Sequence, residues 1–394
     1  MSANAIEELV NLGEQSRAER GILHTPGEIL QQPEAWRQAT ERVFDLSADL
    51  RAVLSGAHEL ILTGAGSSYF AGVCAEAALT RALGLPVRAV ASTEIVMDPE
   101  STLPGRPFAL VSLARSGNSP EGNAAFELAE ELRGDLVRHV VITANPEGVL
   151  AGLAGTTRRP AALCLLPPQT NDRGLAMTSS LTSLVVAAQA LGFLDRPGEY
   201  RKVAEALSQA AEEVLRDAGR IAAWAREPFR RAFFVGARPF FGAALESHLK
   251  VQELTDGIVV GKAEDTLGLR HGPMAAVDAE TLVVVFCSRD EHRRKYEGDL
   301  LRELAGKNLG LKRIAVAPRV EESWRAFLHD WVEFDPGALR GIPDDLVSPV
   351  LIIPAQALGL FKSLELGLKP DAPSRNRAIS RVVQGVTIYR RGRN

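Results

Sequence analysis

The stretch Glu59–Tyr69 reads Glu-Leu-Ile-Leu-Thr-Gly-Ala-Gly-Ser-Ser-Tyr and joins an apolar run to a turn rich in glycine and serine. The run predicts a buried strand ending at Thr63, and Tyr69–Leu83 has the amphipathic pattern of a helix. Glycines let the backbone turn tightly, and the free amides of a helix N-terminus attract anions. Two consecutive hydroxyls, Ser67 and Ser68, favour a phosphate monoester. A nucleotide-binding turn and a junction without ligand stay open, although the third glycine of the dinucleotide fingerprint is missing.

Similar strand and helix patterns alternate along most of the chain. The predicted strands are Glu59–Thr63, Val87–Ala91, Pro107–Leu113, Val137–Thr143, Ala161–Leu166, Arg231–Val235, Thr281–Phe286 and Lys312–Val316. Strands that alternate with helices predict the α/β class, with doubly wound parallel sheets flanked by helices. The alternation of strands and helices starts again in the second half, and 394 residues are more than a single domain usually contains. We therefore expect two tandem domains of the same type.

The boundaries follow from changes in composition. We predict an N-terminal helical segment at 1–46, a first domain at 47–198, a second domain at 199–370 and a C-terminal tail at 371–394. The second domain begins with a charged, alanine-rich stretch, Glu199–Trp224, which predicts one connecting helix. The tail is basic and carries one β-prone run, Gly385–Tyr389.

Composition restricts the function. Hydrophobic residues make up 46% and charged residues 24% of the chain, and the net charge is −4, so nothing indicates a partner that is nucleic acid or an anionic membrane. The cysteines Cys74, Cys164 and Cys287 lack metal or redox spacing and read as buried apolar residues in a reducing compartment. The N-terminus lacks a signal-peptide pattern and no apolar run approaches about 18 residues. We therefore expect a cytoplasmic protein that needs no metal or redox cofactor.

Two further polar loops follow predicted strands. One contains Ser116 and Ser119 before Pro120, and the other runs from Thr170 to Ser180. Ser119 is also well placed as a helix N-cap, which is an equally good structural interpretation. Because ligands bind beyond the carboxyl ends of parallel strands, the three hydroxyl-rich loops together predict one phosphate and polyol site.

The second half contributes charged residues. Glu246, Lys250 and Glu253 lie near one face of a predicted helix, and His271 sits in a loop with Gly272 and Pro273. A solvated ion-pair face is the plain interpretation of such a triplet. A histidine in a Gly-Pro loop is less easily explained by packing.

These motifs resemble those of a known family. Four of them resemble the sugar isomerase (SIS) domains of the isomerase half of glucosamine-6-phosphate synthase: Gly64–Tyr69, Ala114–Ser119, Leu249–Leu254 and Arg270–Pro273. The fuller resemblance is to AgaS-type proteins, the tagatose-6-phosphate ketose/aldose isomerases or galactosamine-6-phosphate deaminase/isomerases. It rests also on His24–Ile29, Gln32–Trp36 and Thr170–Ser180 and spans nearly the whole chain.

The resemblance implies roles for individual residues. The sugar phosphate and substrate would be bound by Ser67, Ser68, Ser116, Ser119 and Thr178, with Arg115 adding a charge-assisted contact. Glu253 corresponds to the base that moves a proton between C1 and C2, and Lys250 to a lysine that supports the enediol oxygen. His271 corresponds to a ring-opening histidine that reaches in from a neighbouring subunit, which implies a homodimer.

One position departs from the synthase. Gln384 stands where its C-terminal tail has a lysine that forms a Schiff base. Glutamine cannot form an imine, so the resemblance leaves the tail, with Gln384, as a lid or substrate contact.

The resulting prediction is a phosphosugar isomerase/deaminase that converts galactosamine 6-phosphate to tagatose 6-phosphate and ammonia. A plain ketose/aldose isomerase is one alternative, and the galacto, gluco or tagato configuration stays open. A non-catalytic sugar-phosphate sensor in a transcription regulator is another. A DNA-binding segment would need a basic face, whereas residues 1–46 carry many glutamates that would repel DNA phosphates.

Overall fold

The computed structural model describes residues 4–334 and 337–389. The last five residues of the predicted tail, 390–394, and the first three of the N-terminal segment lie outside this part. The first sheet contains β1 (Leu60–Gly64), β2 (Val87–Ala91), β3 (Phe108–Ala114), β4 (Val137–Thr143) and β5 (Ala161–Leu165). The second contains β6 (Arg231–Val235), β7 (Val260–Glu264), β8 (Thr281–Phe286), β9 (Lys312–Ala317) and β10 (Asp330–Glu333).

Both sheets are parallel and have the same topology. The strand orders are β2-β1-β3-β4-β5 and β7-β6-β8-β9-β10. The first strand of each half therefore lies beside the second and third, and the chain then extends the sheet in one direction. The predicted α/β class with two tandem units is confirmed, while the predicted domain limits stay a prediction.

Helices flank both sheets. They are α1 (Ala5–Val10), α2 (Glu14–Arg20), α3 (Thr25–Leu30), α4 (Gln32–Asp45), α5 (Ser47–Leu54), α6 (Ser67–Leu83), α7 (Ser92–Met97), α8 (Pro99–Thr102), α9 (Pro120–Arg133), α10 (Val149–Thr156), α11 (Ser179–Ala190), α12 (Pro197–Arg216), α13 (Ala218–Ala225), α14 (Phe241–Leu254), α15 (Glu291–Gly306) and α16 (Ser348–Glu365). Short 3-10 turns lie at Gly134–Leu136, Pro168–Thr170, Leu191–Phe193, Gly268–Arg270, Pro273–Ala276, Glu322–Phe327 and Asp344–Leu346.

One prediction about secondary structure is wrong. The connecting stretch Glu199–Trp224 is not one helix, because the chain breaks at Asp217 between α12 and α13. The β-prone run Gly385–Tyr389 forms no strand; it has no regular structure and is mostly exposed. Apolar, β-branched residues need a neighbouring strand and a buried face, and the tail offers neither.

The sequence patterns also missed two edge strands. β7 contains glycine and two charged residues and is partly exposed, and β10 has only four residues, two of them acidic. Edge strands lack the continuous apolar run of a central parallel strand, so they leave a weak pattern in the sequence.

The core lies in the helices between the two sheets. Every residue of α11 is buried, and α16 is buried from Ser348 to Ser363. α14 packs against both α16 and α6, so it joins the two halves. The three cysteines are buried and unpaired, as the sequence predicts. None of the helices in the described ranges combines the length and the apolar character of a membrane span.

The contact of α14 with α6 is unusually close. A Cβ atom added at Gly242 would lie 2.7 Å from the backbone nitrogen and 2.8 Å from the Sγ atom of Cys74. Only glycine permits this approach without a shift of the backbone. The close approach brings the side chains of α14 to the N-terminus of α6.

We expect Gly242→Ala to destabilise the protein, because the added methyl overpacks the helix crossing. The expected loss is about 1–3 kcal/mol of unfolding free energy, measured by urea denaturation. Gly152→Ala in α10 is the matched control, since an added Cβ there meets no atom within 4 Å, and we expect it to be neutral or stabilising by about 0.5–1 kcal/mol. A G242A variant as stable as the wild type would contradict the close crossing.

Candidate active site

A cavity of about 460 Å³ opens at the carboxyl ends of β1 and β3. Side chains from both halves and from the C-terminal tail surround it. Of the predicted site residues, its lining includes Ser67, Ser68, Arg115, Ser116, Ser119, Glu253 and Gln384. The structure therefore brings together residues that lie more than 300 positions apart in sequence.

Glycines shape the first serine loop. A Cβ on Gly64 would lie 2.6 Å from the Cβ of Ser68, and Gly66 has φ +56° and ψ −128°. L side chains rarely adopt that backbone conformation. α6 can therefore begin at Ser67 immediately after β1, with Ser67 and Ser68 in its first turn at the cavity wall.

The second serine loop follows β3. Ser119 caps α9 by accepting a hydrogen bond from the Gly122 amide at 3.1 Å, and its hydroxyl donates to Glu121 at 3.2 Å. Ser116 accepts from the Asn118 amide at 3.2 Å. The structural interpretation of Ser119 as an N-cap is thus correct, and the same residue also lines the cavity.

Arg115 supports the wall of the cavity. Its guanidinium donates to the carbonyl oxygens of Gly174 at 3.2 Å, of Leu175 at 3.1 Å and of Arg381. Burial, together with the nearby Arg381, lowers the pKa of Arg115 to about 10. The side chain thus ties the loop after β5 and the tail to the second serine loop.

A buried cation lies where α14 meets α6. The ammonium of Lys250, which has no exposed surface, is 3.2 Å from Glu246 Oε1 and 2.5 Å from Glu253 Oε2. It also donates to Ser67 Oγ at 3.1 Å. Burial alone would lower the pKa of Lys250, but the two glutamates more than offset that effect and raise it. Lys250 is therefore a fixed cation rather than a nucleophilic amine.

Glu246 is a site neighbour that the predicted set of site residues omitted. It is fully buried, and its Oε1 accepts from Ser67 Oγ at 3.1 Å. Burial raises the pKa of Glu246 to about 7, with Lys250 opposing and Glu253 adding to the rise. Its i, i+4 spacing from Lys250 was visible in the sequence, but the same spacing is typical of surface ion pairs.

Glu253 is the member of this cluster that lines the cavity. Its side chain is about one quarter exposed, at 23%. Lys250 fixes this carboxylate at the cavity wall, close to Ser67 of the first serine loop, which the same ammonium contacts. A positioned carboxylate with access to a bound molecule can act as a general base.

Thr178 does not lie in the cavity lining. It is fully buried, and its amide donates to Asp172 at 2.8 Å. Asp172 also accepts from the amide and hydroxyl of Ser180, at 2.8 and 2.6 Å, and so caps α11. The geometry gives this polar loop a structural role in the described chain, and the predicted contact of Thr178 with substrate gains no support.

The N-terminal motif fixes that loop and the tail. The buried carboxylate of Glu28 accepts from the amides of Arg173 and Gly174. Burial and nearby Asp172 raise the pKa of Glu28 to about 7. Asp371 accepts from the Thr25 amide at 2.8 Å and from its hydroxyl at 2.7 Å. Nothing in the local sequence indicated that these residues contact each other.

The tail forms part of the cavity wall. Residues 377–384 belong to the lining, including the exposed Gln384. Arg381 holds this segment by donating to the Asp172 carbonyl at 2.8 Å and to Asn171 Oδ1 at 2.6 Å. These bonds fasten the tail to the polar loop after β5.

His271 lies apart from the cavity of its own chain. It follows the 3-10 turn Gly268–Arg270, is exposed, and is not among the lining residues. Arg270 anchors this turn to Glu303 at 2.6 Å. Its predicted role in a neighbouring subunit's site stays a prediction.

A larger groove of about 570 Å³ lies between α4 and α12. Its charged side chains pair with each other, as in the 2.7 Å contact of Arg37 with Glu205. The smaller cavity is therefore the better candidate for chemistry. In the part of the chain that is described, no group of three His, Cys, Asp or Glu side chains is arranged to hold a metal ion.

Comparison with known proteins agrees with this geometry. The D-galactosamine-6-phosphate deaminase AgaS of Escherichia coli is 36% identical over 373 residues, which cover 93% of this chain and 95% of the relative. The crystal structure of tagatose-6-phosphate ketose/aldose isomerase from Escherichia coli matches with a TM-score of 0.84 and 33% identity, covering 93% and 96% of the two chains. The C-terminal domain of glucosamine-fructose-6-phosphate aminotransferase from Francisella tularensis shares the fold, with a TM-score of 0.75, 18% identity and coverage of 89% and 98%. No protein-family model matches the chain.

Two parallel sheets of one topology, with a serine-lined cavity at their helix junction, define a phosphosugar-handling protein with two SIS domains. The chain belongs to the AgaS family of sugar-phosphate deaminases and isomerases. The predicted family and enzyme class are confirmed.

The raised pKa of Glu246 makes stability depend on pH. In the folded protein the pKa of Glu246 is about 7, above its ordinary value of 4.5. The contribution of Glu246 to the unfolding free energy is therefore fully present below about pH 4.5 and is lost as the pH rises through about 7. We expect the wild type to lose more unfolding free energy than Glu246→Gln between about pH 5 and 8, by on the order of 3 kcal/mol. Urea titrations across this range measure the difference, and equal slopes would refute it. Glu28 and Glu297 also have raised pKa values, but they are common to both proteins.

Proposed function

We propose that this enzyme converts galactosamine 6-phosphate and water to tagatose 6-phosphate and ammonia in the serine-lined cavity. The observation that carries the proposal is the carboxylate of Glu253, which lines this cavity and is held 2.5 Å from the buried ammonium of Lys250. The names of the relatives support it, since they are a D-galactosamine-6-phosphate deaminase and a tagatose-6-phosphate ketose/aldose isomerase. We place the reaction in the cytoplasm.

The phosphate binds at the two serine loops. Ser67 and Ser68 stand in the first turn of α6, and Ser116 and Ser119 precede α9. Two helix N-termini and several hydroxyls therefore face one region of the cavity, which suits an anion with several acceptor oxygens. No net positive charge of the whole chain is needed, because the contacts are local.

Glu253 then transfers the proton. It removes the proton from C2 of the open-chain amino sugar and delivers it to C1, through an enolamine. The resulting C2 imine reacts with water, which releases ammonia and leaves the ketose. A positioned carboxylate accelerates such a step by about 100- to 10,000-fold. With a hydroxyl in place of the amine, the same transfer would be a plain ketose–aldose isomerisation.

Lys250 stabilises the charge that develops during this transfer. A preorganised cation in a site that excludes water stabilises an oxyanion more strongly than solvent does. Ser67 links Lys250 and Glu246 to the phosphate loop, since its hydroxyl contacts both. Binding of the phosphate and placement of the base are thereby coupled through one side chain.

His271 assists ring opening from a second subunit. It is exposed and lies outside the cavity of its own chain, so a contribution to catalysis requires a partner. We therefore propose a homodimer in which each chain donates His271 to the other. Gln384 and the tail close the cavity without forming an imine, because an amide is not nucleophilic enough.

The sensor alternative receives no structural support. α4 packs against α11 and α12, and Trp36 is fully buried there. The N-terminal helices are thus part of the core rather than a separate DNA-binding unit.

Glu253→Gln should reduce ammonia release from galactosamine 6-phosphate by about 100-fold or more, because the amide cannot accept the proton. Ammonia release and ketose–aldose conversion are followed in parallel, with substrate affinity measured by calorimetry. Glu131→Gln is the control, since Glu131 is exposed on α9. Unchanged turnover in E253Q would remove Glu253 as the base. If the enzyme interconverts tagatose 6-phosphate with an aldose but releases no ammonia from any amino sugar, the protein is a plain ketose/aldose isomerase.

The shared site can be tested with mixed dimers. Two differently tagged variants, Glu253→Gln and His271→Asn, are co-expressed and the heterodimer is isolated through both tags. If His271 acts across the interface, one of the two sites is intact and activity returns to about half that of the wild type. If His271 acts within its own chain, each site has one defect and activity stays at the level of the single variants.

A further inference from the structure

The second half has a counterpart of the serine loop after β3. An added Cβ at Gly64 would meet Ser68, four residues on, and one at Gly236 would meet Phe240, also four residues on. Matching these two glycines places Thr63 opposite Val235. Thr63 pairs with Ser112 in the first sheet and Val235 pairs with Val285 in the second.

This register carries forward into the loops. The residues three positions after Ser112 and Val285 are Arg115 and Ser288, so these two correspond. The residues that follow them, Ser116 and Arg289, correspond as well. Each half thus has one arginine and one serine, adjacent in sequence, in the loop that follows its third strand. In each half a capped helix follows, with Ser119 as N-cap of α9 and Asp290 as N-cap of α15.

The two arginines also act alike. Arg115 donates to carbonyl oxygens of segments that cover the strand ends, at Gly174, Leu175 and Arg381. Arg289 likewise donates to the carbonyl oxygens of Leu339 and Ile342. Each therefore fastens a covering segment over the loop that follows its third strand.

An anion already occupies the loop of the second half. The carboxylate of Asp344 accepts from Ser288 Oγ at 2.5 Å, from the Arg289 amide at 3.1 Å, from Arg289 Nε at 3.2 Å and from Arg293 Nη2 at 3.1 Å. A hydroxyl, a backbone amide and two guanidinium groups are the donors that bind phosphate in proteins. Two other amides in the loop have partners as well: that of Ser288 donates to Glu297 at 2.9 Å, and that of Asp290 donates to Ser288 Oγ at 2.9 Å.

Asp344 is held in its charged form. Its residue is only 8% exposed. Burial alone would raise its pKa, but the bonds from Ser288 and Arg289 more than offset this and lower it. The loop thus provides a site for a negative charge, independently of any sugar.

We propose that Ser288, Arg289 and Arg293 form a second oxyanion-binding site, equivalent to the phosphate loop of the first half, and that the Asp344 carboxylate fills it. The chain therefore carries two anion sites of common origin and leaves one open to ligand. The equivalence to the first half rests on the proposed function, but the anion site itself does not, because it lies in the loop after β8 and its occupant is a side chain. Removing the carboxylate should admit a free phosphate-type anion.

The experiment uses Asp344→Ala and inorganic phosphate as the probe. Equilibrium dialysis with labelled phosphate, at constant ionic strength, counts the anions bound by wild type and by D344A. We expect D344A to bind one more phosphate per chain, and its melting temperature to rise more with phosphate than that of the wild type. Any phosphate bound in the catalytic cavity contributes equally to both proteins.

Two further variants make the result specific. Adding Arg293→Gln to D344A should abolish the extra phosphate. Asp345→Ala, which breaks the neighbouring 2.7 Å ion pair with Arg81, should bind no more than the wild type. Equal phosphate binding by D344A and wild type would overturn the proposal.

If D344A does not fold in chloride buffer, the yields of folded protein in phosphate and in chloride are compared, for D344A and for Asp344→Ser. Recovery in phosphate supports the site, since the free anion then replaces the lost carboxylate. Equal yields in the two buffers contradict it.

Discussion

The buried ammonium of Lys250 constrains much of this structure. Removing an ion from water costs several kcal/mol, and that cost is offset only when partners surround the charge. Lys250 has two carboxylates, of Glu246 and Glu253, on its own helix and a hydroxyl, of Ser67, from the first half of the chain. α14 must therefore lie close to the N-terminus of α6, and the missing side chain at Gly242 allows this. The same contact that neutralises the cation also places Glu253 beside the serine loop at Ser67.

Carboxylates fix the remaining walls of the cavity through backbone amides. Asp172 caps α11, Glu28 holds the loop at Arg173 and Gly174, and Asp371 ties the tail to Thr25. Hydrogen bonds from amides to a charged acceptor are stronger than those between neutral groups. Segments without regular structure can thus keep a defined position at the cavity, and the N-terminal helices become part of the site's support.

The sequence was sufficient for features that leave a local pattern. Continuous apolar runs predicted central strands such as β4 and β8, and the strand–glycine–serine junction predicted the turn into a helix at Ser67. Edge strands β7 and β10 are short or charged, so they left no such run. The pairing of Thr25 with Asp371 joins residues 346 positions apart, which no local pattern records. Thr178 belongs to a distinctive motif, yet it is buried and its amide takes part in the cap of α11. A motif marks residues as important but does not show whether their role is structural or chemical.

Duplication explains how one cavity draws on two unlike surfaces. α6 follows the first strand of the first sheet and α14 follows the first strand of the second, so the two helices are equivalent. α6 turns its N-terminal serines to the cavity, whereas α14 presents Glu253 from its last turn and holds it with the buried Lys250. At the N-terminal end of α14 the counterpart of Ser68 is Phe240, a fully buried ring that cannot bind an anion. α6 therefore lines the cavity with its N-terminal end, and α14 lines it with a charged group near the opposite end. A single fold unit with one such helix could present only one of these surfaces, so the site requires both halves to be packed together.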